Sequence, residues 1–412
     1  MKLNSGLRAA NLVAATLAIA AASTLVGCSS DDTSSGGGDS TSVAAPPGSF
    51  PGKAATGEPV KIGLINPEDG PAISQPENRE AAEAVVTYAN ENTGGIGGRP
   101  IELVVCKNHE DPASARNCAN QMVENKVSAV VVTATAMSPV MVPIISSAGI
   151  PYVSAVGSGP ENTADDAFMW SGASMAYAYM AQYASEQNLK NVTAYTIDVP
   201  AGIAGLQRVA EPAFDAKGIG FRIVRIPPGT PEVSPQVSAG LDDGTDGAIV
   251  VGDTTLCMSI FSALGTLGAD VVKMTPQSCA NSQVREKVGA SMDGTRVFST
   301  ADTVSDDPET QLYRAIMSRY APDTDPYGYA VTGYQGMLGL VRALDGWDGA
   351  DASPATMITT IRTAENVKLP AGHGLTFTCD GSAQPMLKAV CGKGAIVLTI
   401  EDGQLVDPQV VQ

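Results

Sequence analysis

The 412-residue chain carries 43 acidic against 25 basic side chains, a formal net charge of −18 at pH 7. That balance repels nucleic acid and anionic lipid, so neither is expected as a partner of the folded surface. Hydrophobic residues make up 44% of the chain, enough for a sizeable core, and a body of this length suits two lobes better than one.

Lys2 and Arg8 open the chain, and an apolar run at residues 12–22 follows. The run is too short to span a bilayer and gives way at once to polar residues, so residues 1–27 read as a secretory signal peptide. Leu25-Val26-Gly27-Cys28 resembles the bacterial lipobox, whose cysteine becomes the lipidated first residue. Cys28 is therefore expected to tie the mature protein to the outer face of the cell membrane. Removal of Lys2 and Arg8 takes the net charge from −18 to −20. Residues 28–57, dominated by Ser, Asp, Gly, Thr and Pro, bury too little to fold and read as a flexible tether with a reach of about 30 Å.

A short apolar strand is expected at 60–65, followed by a Pro- and Gly-rich loop. Ala81, Ala84, Val85 and Tyr88 then repeat at helical spacing over 78–92, with Gly94-Gly95 as the stop. A strand at 101–106 leads to a helix at 113–125, started by Asp111 and Pro112. Residues 129–132 are too few and too β-branched for a helix and read as a strand buried on both faces. The helix at 138–148 has Ser138 as N-cap, Pro139 in first position and Gly149 as stop, and a strand at 150–154 completes a βαβ unit. Its two loops, 133–138 and 155–159, emerge at the carboxyl edge of one parallel sheet, where open α/β sheets bind ligands.

The pattern restarts with strands at 191–197, 221–226, 248–251, 271–274 and 296–300, and helices at 204–217, 234–241, 257–267, 309–320 and 331–344. The tail segments 375–379 and 395–400 read as antiparallel partners. A second sheet of similar size follows, hence an α/β protein of two doubly wound lobes.

Seven cysteines leave six once Cys28 is lipidated. Six allow 15 pairings, but spacing favours three local ones: Cys106 with Cys118, Cys257 with Cys279 and Cys379 with Cys391. The chain has two histidines, His109 and His373, far apart, and no CxxC, so neither a metal nor any other cofactor is implied. There is no GxSxG, HExxH or P-loop, and the acidic pairs Asp165-Asp166, Asp242-Asp243 and Asp306-Asp307 sit in polar turns. The reading is capture of a small molecule without chemistry.

The order of parts resembles the type I solute-binding proteins of ABC transporters, the leucine/isoleucine/valine-binding family. The resemblance is carried over residues 60–405 by Lys61-Ile62-Gly63-Leu64, Asp69-Gly70-Pro71, the run NENTGGIGGRP at 90–100, and DPASARN at 111–117. Ala148-Gly149-Ile150-Pro151, Asp198 with Gly202, and Tyr334 complete it. It implies two Rossmann-like lobes joined by three crossovers, 58–171 plus 301–358 and 172–300 plus 359–412, hinged near Gly172, Thr300 and Thr359. It also implies a small-molecule ligand, an ABC permease as partner, and a monomer.

Carried across residue by residue, the family's carboxylate loops fall on Thr135, Ala136, Met137 and Ser138, and on Val156, Gly157 and Ser158. Gln75 falls at a first-lobe contact. In the second lobe the matches are Asp198, Ala201 in place of an aromatic residue, Gly202, and Asn281 within the stretch SCANS at 278–282. No carboxylate stands in that stretch to hold an ammonium, leaving Asp198 or Asp253 as substitutes. An unpaired buried ammonium is costly, so the expected ligand is an amide or a short aliphatic or aromatic carboxylate rather than a plain α-amino acid. A branched-chain amino acid, a sensor that shows its closed form to a membrane receptor, and a scaffold module are the alternatives.

Overall fold

The computed structural model describes residues 44–411 apart from 71, 72, 158, 200–202, 204, 242, 243 and 385. The signal peptide, Cys28, Ser158, Ala201 and Gly202 lie outside the described residues. Among those described, no helix is long and apolar enough to cross a membrane.

Five parallel strands make the first sheet: β1 (Val60–Pro67), β2 (Ile101–Asn108), β3 (Ala129–Val132), β4 (Tyr152–Ser154) and β5 (Ala167–Met169), in the order β2-β1-β3-β4-β5. Helices α1 (Pro76–Asn92), α2 (Pro112–Glu124) and α3 (Ser138–Ser147) connect them. β3 is buried throughout, as its AVVV sequence requires. Asp111 starts α2 as its sequence position suggests, its carboxylate accepting from the Ala113 and Ser114 N–H groups. The cap of α3 differs from expectation: Met137 holds the N-cap position, and Ser138 is already helical and 1% exposed.

The second sheet repeats the topology. After α4 (Ala176–Glu186) come β6 (Asn191–Ile197), a π-turn at Leu206–Ala210 running into α5 (Glu211–Asp215), β7 (Gly220–Ile226), α6 (Ser234–Gly240), β8 (Gly247–Val251), α7 (Thr254–Thr266), β9 (Val272–Pro276), α8 (Ser282–Val288) and β10 (Arg296–Ser299). The parallel strands order as β7-β6-β8-β9-β10, the same permutation as the first sheet. The antiparallel pair β13 (Ala395–Glu401) and β14 (Gln404–Val411) extends the β10 edge.

Between the sheets' segments lie α9 (Pro308–Tyr320), α10 (Ala330–Ala343), α11 (Pro354–Thr363), β11 (Val367–Lys368) and β12 (Thr376–Phe377). α10 lies against α1 so closely that a Cβ added at Gly333 would sit 1.8 Å from the Asn78 carbonyl oxygen. Trp170 is fully buried, donates to the Gly336 carbonyl at 3.0 Å and stacks on Phe377 with ring centroids 4.8 Å apart.

Three expectations are corrected. The third passage between sheets is not at Thr359, which lies inside α11. Residues 367–391 stay with the first sheet, where the Cys391 N–H donates to Met169, and the chain leaves at Gly392–Gly394, packed against Gly172. Residues 375–379 do not pair with 395–400; β12 pairs with β11, and β13 with β10 and β14. The tether does not run free to residue 57. Phe50, its one aromatic residue, packs edge-on against Tyr88, and the N–H groups of Lys53, Ala55 and Thr56 donate to Asn92, Asn90 and Gly98.

The disulfides Cys106–Cys118, Cys257–Cys279 and Cys379–Cys391 are all formed.

Candidate functional site

Parallel strands place the loops after β1, β3 and β4 on one edge of the first sheet, and those after β6, β8 and β9 on the matching edge of the second. Both sheets reverse strand order beside their first strand in sequence, β1 and β6, which is where a doubly wound sheet opens a crevice. The two edges meet at one seam. The Ser282 N–H and hydroxyl, at the start of α8, both donate to the Asp325 carboxylate on the α9–α10 loop, each at 3.1 Å. Beside them the Arg285 guanidinium lies 5.2 Å from the Tyr327 ring centroid, and Gln277 donates to the Gly328 carbonyl at 3.4 Å.

A cavity of about 300 Å³ adjoins this seam and is lined from both halves. Thr254, Asn281 and Gln283 contribute from the second sheet's loops, and Glu77, Glu80, Asp323, Asp325 and Tyr329 are prominent from the first side. The lining has four carboxylates and no basic side chain among the described residues. Burial raises the Glu77 carboxyl above its usual range, and the like charges of Glu80, Asp325 and Glu68 add to the shift. Burial likewise raises the Tyr329 hydroxyl, countered by the side chains of Ser278 and Gln75, one from each half. Tyr177, in the first turn of α4, is pushed up to about 12 by burial, with Tyr329 adding to it. A larger concavity of about 720 Å³, lined by Glu286, Lys287 and residues 322–327, shares the seam residues and is the more open of the two.

In the first half the loop after β3 has the form expected of an anion seat, and the chain itself fills it. Glu110, on the loop after β2, accepts from the Thr135 hydroxyl at 2.6 Å and from the Ala136 N–H at 2.8 Å. The Thr135 oxygen also accepts from the Met137 N–H at 2.8 Å and from Asn108 Nδ2 at 3.1 Å. One donor and two acceptors exhaust a hydroxyl. Burial raises the Glu110 carboxyl, and the bonds from Thr135 and Ala136 work against the rise. The loop after β4 repeats the device: Glu161, 3% exposed, accepts from the Gly159 N–H at 2.8 Å.

The residues singled out from sequence divide accordingly. Thr135, Ala136 and Met137 stand at the edge with their donors turned to Glu110 or to each other, and Ser138 is buried. Val156 accepts from the Ser154 hydroxyl, and Gly157 is packed so tightly that a Cβ there would lie 2.4 Å from Asn162 Oδ1. Gln75 adjoins the cavity and accepts from Asn78 at 3.1 Å. Asn281 lines the cavity while capping α8 and donating to Thr254 at 2.8 Å. Asp253 caps α7 through the Leu256 N–H, Asp198 is exposed just past the end of β6, and the residues lining the cavity include neither. Sequence reasoning missed Glu77, Glu110, Glu161, Asp325 and Tyr329. Glu110 directly precedes the helix-starting Asp111-Pro112, so its place in the turn after β2 was legible, but not which loop it would reach.

A model of the family described as periplasmic binding protein matches residues 59–391. A search of curated protein sequences returns no match. Among solved structures, an ABC transporter substrate-binding protein from Sphaerobacter thermophilus superposes with a TM-score of 0.73 at 20% identity, over 86% of this chain and 97% of its own. The branched-chain amino acid transporter substrate-binding protein LivJ from Streptococcus pneumoniae, in complex with isoleucine, gives 0.70 at 20% identity over 86% and 99%. A solute-binding protein of an ABC transporter from Rhodopseudomonas palustris, in complex with 3,4-dihydroxybenzoic acid, gives 0.70 at 16% over 85% and 96%. At these identities the likeness is one of fold.

Proposed function

The chain belongs to the periplasmic binding protein family, and from that premise we propose that it is an exported lipoprotein that captures a small solute between its two lobes and delivers it to an ABC permease. The cavity lined from both sheet edges carries this reading: Thr254 and Asn281 of one half face Glu77 and Tyr329 of the other across about 300 Å³, a volume suited to a small solute. Lipidation at Cys28, a tether that now ends before Ser49, and action as a monomer without catalysis complete the proposal.

The solute is proposed to be other than a plain α-amino acid, in the range of an amide or a short aliphatic or aromatic carboxylate. The sequence argument for this was the missing acid in residues 278–282. The cavity changes that argument, because Glu77 and Asp325 provide acids from the opposite half. Within the proposed range the first-half loop favours the amide, since Thr135 has no donor left for a carboxylate, whether of an amino acid or of a short acid.

The test is a thermal-shift screen of the purified, oxidised protein against amino acids, amides, amines, short carboxylates and aromatic acids. A ligand at a hundredfold excess over Kd adds about 2.7 kcal/mol of stability. The expected result is a saturable rise with a solute that is not an α-amino acid. A response to leucine or isoleucine alone would establish the branched-chain alternative, and no response to any class would remove solute capture in favour of a scaffold. Pull-down of a membrane receptor in place of a permease would favour the sensor.

A further inference from the structure

Building on the reading that the facing edges hold a solute, we infer that Glu110 sets which end of a solute this chain accepts. Its carboxylate occupies the seat a ligand carboxylate would take, so the chain selects a solute that presents an N–H, an amide or an amine, to the first half.

Three donors of the loop lead into α3, the Thr135 hydroxyl and the N–H groups of Ala136 and Met137, and the N–H and hydroxyl of Ser138, its first residue, follow them. A strand end feeding a ten-residue helix is where an anion is ordinarily received. All three are consumed within the chain, two by Glu110 and the third by Thr135. Asn108 adds a further bond to Glu110 at 2.6 Å. A solute carboxylate reaching for these three donors has to break these bonds or lie against Glu110 with like charge, and either lowers its affinity.

Glu110 is also held against its own backbone preference. Its φ is 58°, the left-handed region that disfavours residues other than glycine. The carboxylate is placed where it is by three hydrogen bonds, from Thr135, Ala136 and Asn108 Nδ2, while the Glu110 N–H donates to Asn108 Oδ1. The neighbouring loop agrees in kind, because Glu161 takes the Gly159 N–H in the same manner. In both loops a glutamate oxygen takes up N–H groups of the chain itself, and the acids that line the cavity are acceptors too.

The experiment follows the Ala136 amide resonance of the 15N-labelled, oxidised protein while sodium acetate is titrated at constant ionic strength. The wild type is expected to show no saturable shift. Glu110→Gly, which relieves the left-handed backbone and vacates the seat, is expected to bind acetate at least tenfold more tightly. Glu110→Gln keeps the shape without the charge and is expected to move in the same direction by less. The inference is overturned if acetate saturates Ala136 equally in wild type, or if both variants remain folded and unresponsive. A blank solute screen would remove the binding reading while this titration still decides the role of Glu110. A carboxylate solute that shifts Ala136 in wild type would overturn the Glu110 inference and leave solute binding in place.

Discussion

The Asp325 carboxylate receives both the N–H and the hydroxyl of Ser282, joining the α9–α10 loop of one half to the first residue of α8 in the other. Asp325 Oδ1 also accepts from the Tyr327 N–H at 2.9 Å, so the loop is braced where it meets its partner. A charge-assisted bond to a helix-start N–H is among the stronger hydrogen bonds a protein makes. Removing its acceptor costs about 1–3 kcal/mol.

Asp325→Ala is therefore expected to favour separation of the two edges. Hydrogen exchange at the Ser282 amide should accelerate by an order of magnitude or more, with the folded core unchanged. Asp325→Asn, which keeps one acceptor oxygen, should fall between. Unchanged exchange in the alanine variant would mean that the seam is not held by this pair.

Gly333 reports on the packing of α10 against α1. With the Asn78 carbonyl oxygen 1.8 Å from any added Cβ, Gly333→Ala must push the helices apart, and overpacking of this sort costs about 1–3 kcal/mol or more. The expected outcome is a melting temperature lowered by several degrees. A variant that melts with the wild type would contradict the close approach.

Glu68 is 2% exposed and paired with Arg79 at 2.7 Å and Lys107 at 3.0 Å. Burial alone would raise its carboxyl, but the bonds from Arg79, Lys107 and Asn66 outweigh burial and hold it below the usual value of 4.5. A depressed folded value makes the contribution complete above the unfolded value and lost as pH falls through the folded one. Glu68→Gln should thus be less stable than wild type at pH 7, by about 1–3 kcal/mol. The gap should close below pH 4.5; a gap that widens on acidification would reverse the assignment.

The disulfides differ in the length of chain they close: 12 residues for Cys106–Cys118 and Cys379–Cys391, against 22 for Cys257–Cys279. Closing a longer loop removes more freedom from the unfolded chain, within a usual range of about 2–4 kcal/mol per bridge. Replacing each pair by serine should lower the melting temperature in every case, most for Cys257 and Cys279. The opposite ranking would show that local packing outweighs chain entropy.

Much of this architecture was legible in the sequence. β1, β3, α1, α2 and the sheet of β6 to β10 were found because apolar runs of four to eight residues between Gly, Pro and Asn punctuation leave few alternatives. α4, α8 and α11 were missed; α8 spans only Ser282–Val288, two turns with too few apolar positions to show a stripe. Residues 367–391 were assigned to the wrong half because nothing local distinguishes a segment that packs on Trp170 from one that packs elsewhere.

The sequence by itself determined the two repeated βα patterns and the loops that reach the carboxyl edges, and its spacing favoured the cysteine pairs that the structure forms. Each depends on short-range periodicity or on strand direction. Only the tertiary structure decided what those loops do. Thr135 reads as a donor to a ligand until Glu110, 25 residues earlier, is found accepting its hydrogen bond. Nothing in the sequence singles out Asp325, and only the fold shows Ser282, 43 positions away, donating to it. A side chain's remaining hydrogen-bonding capacity is set by which groups share its space, and sequence patterns carry no record of that.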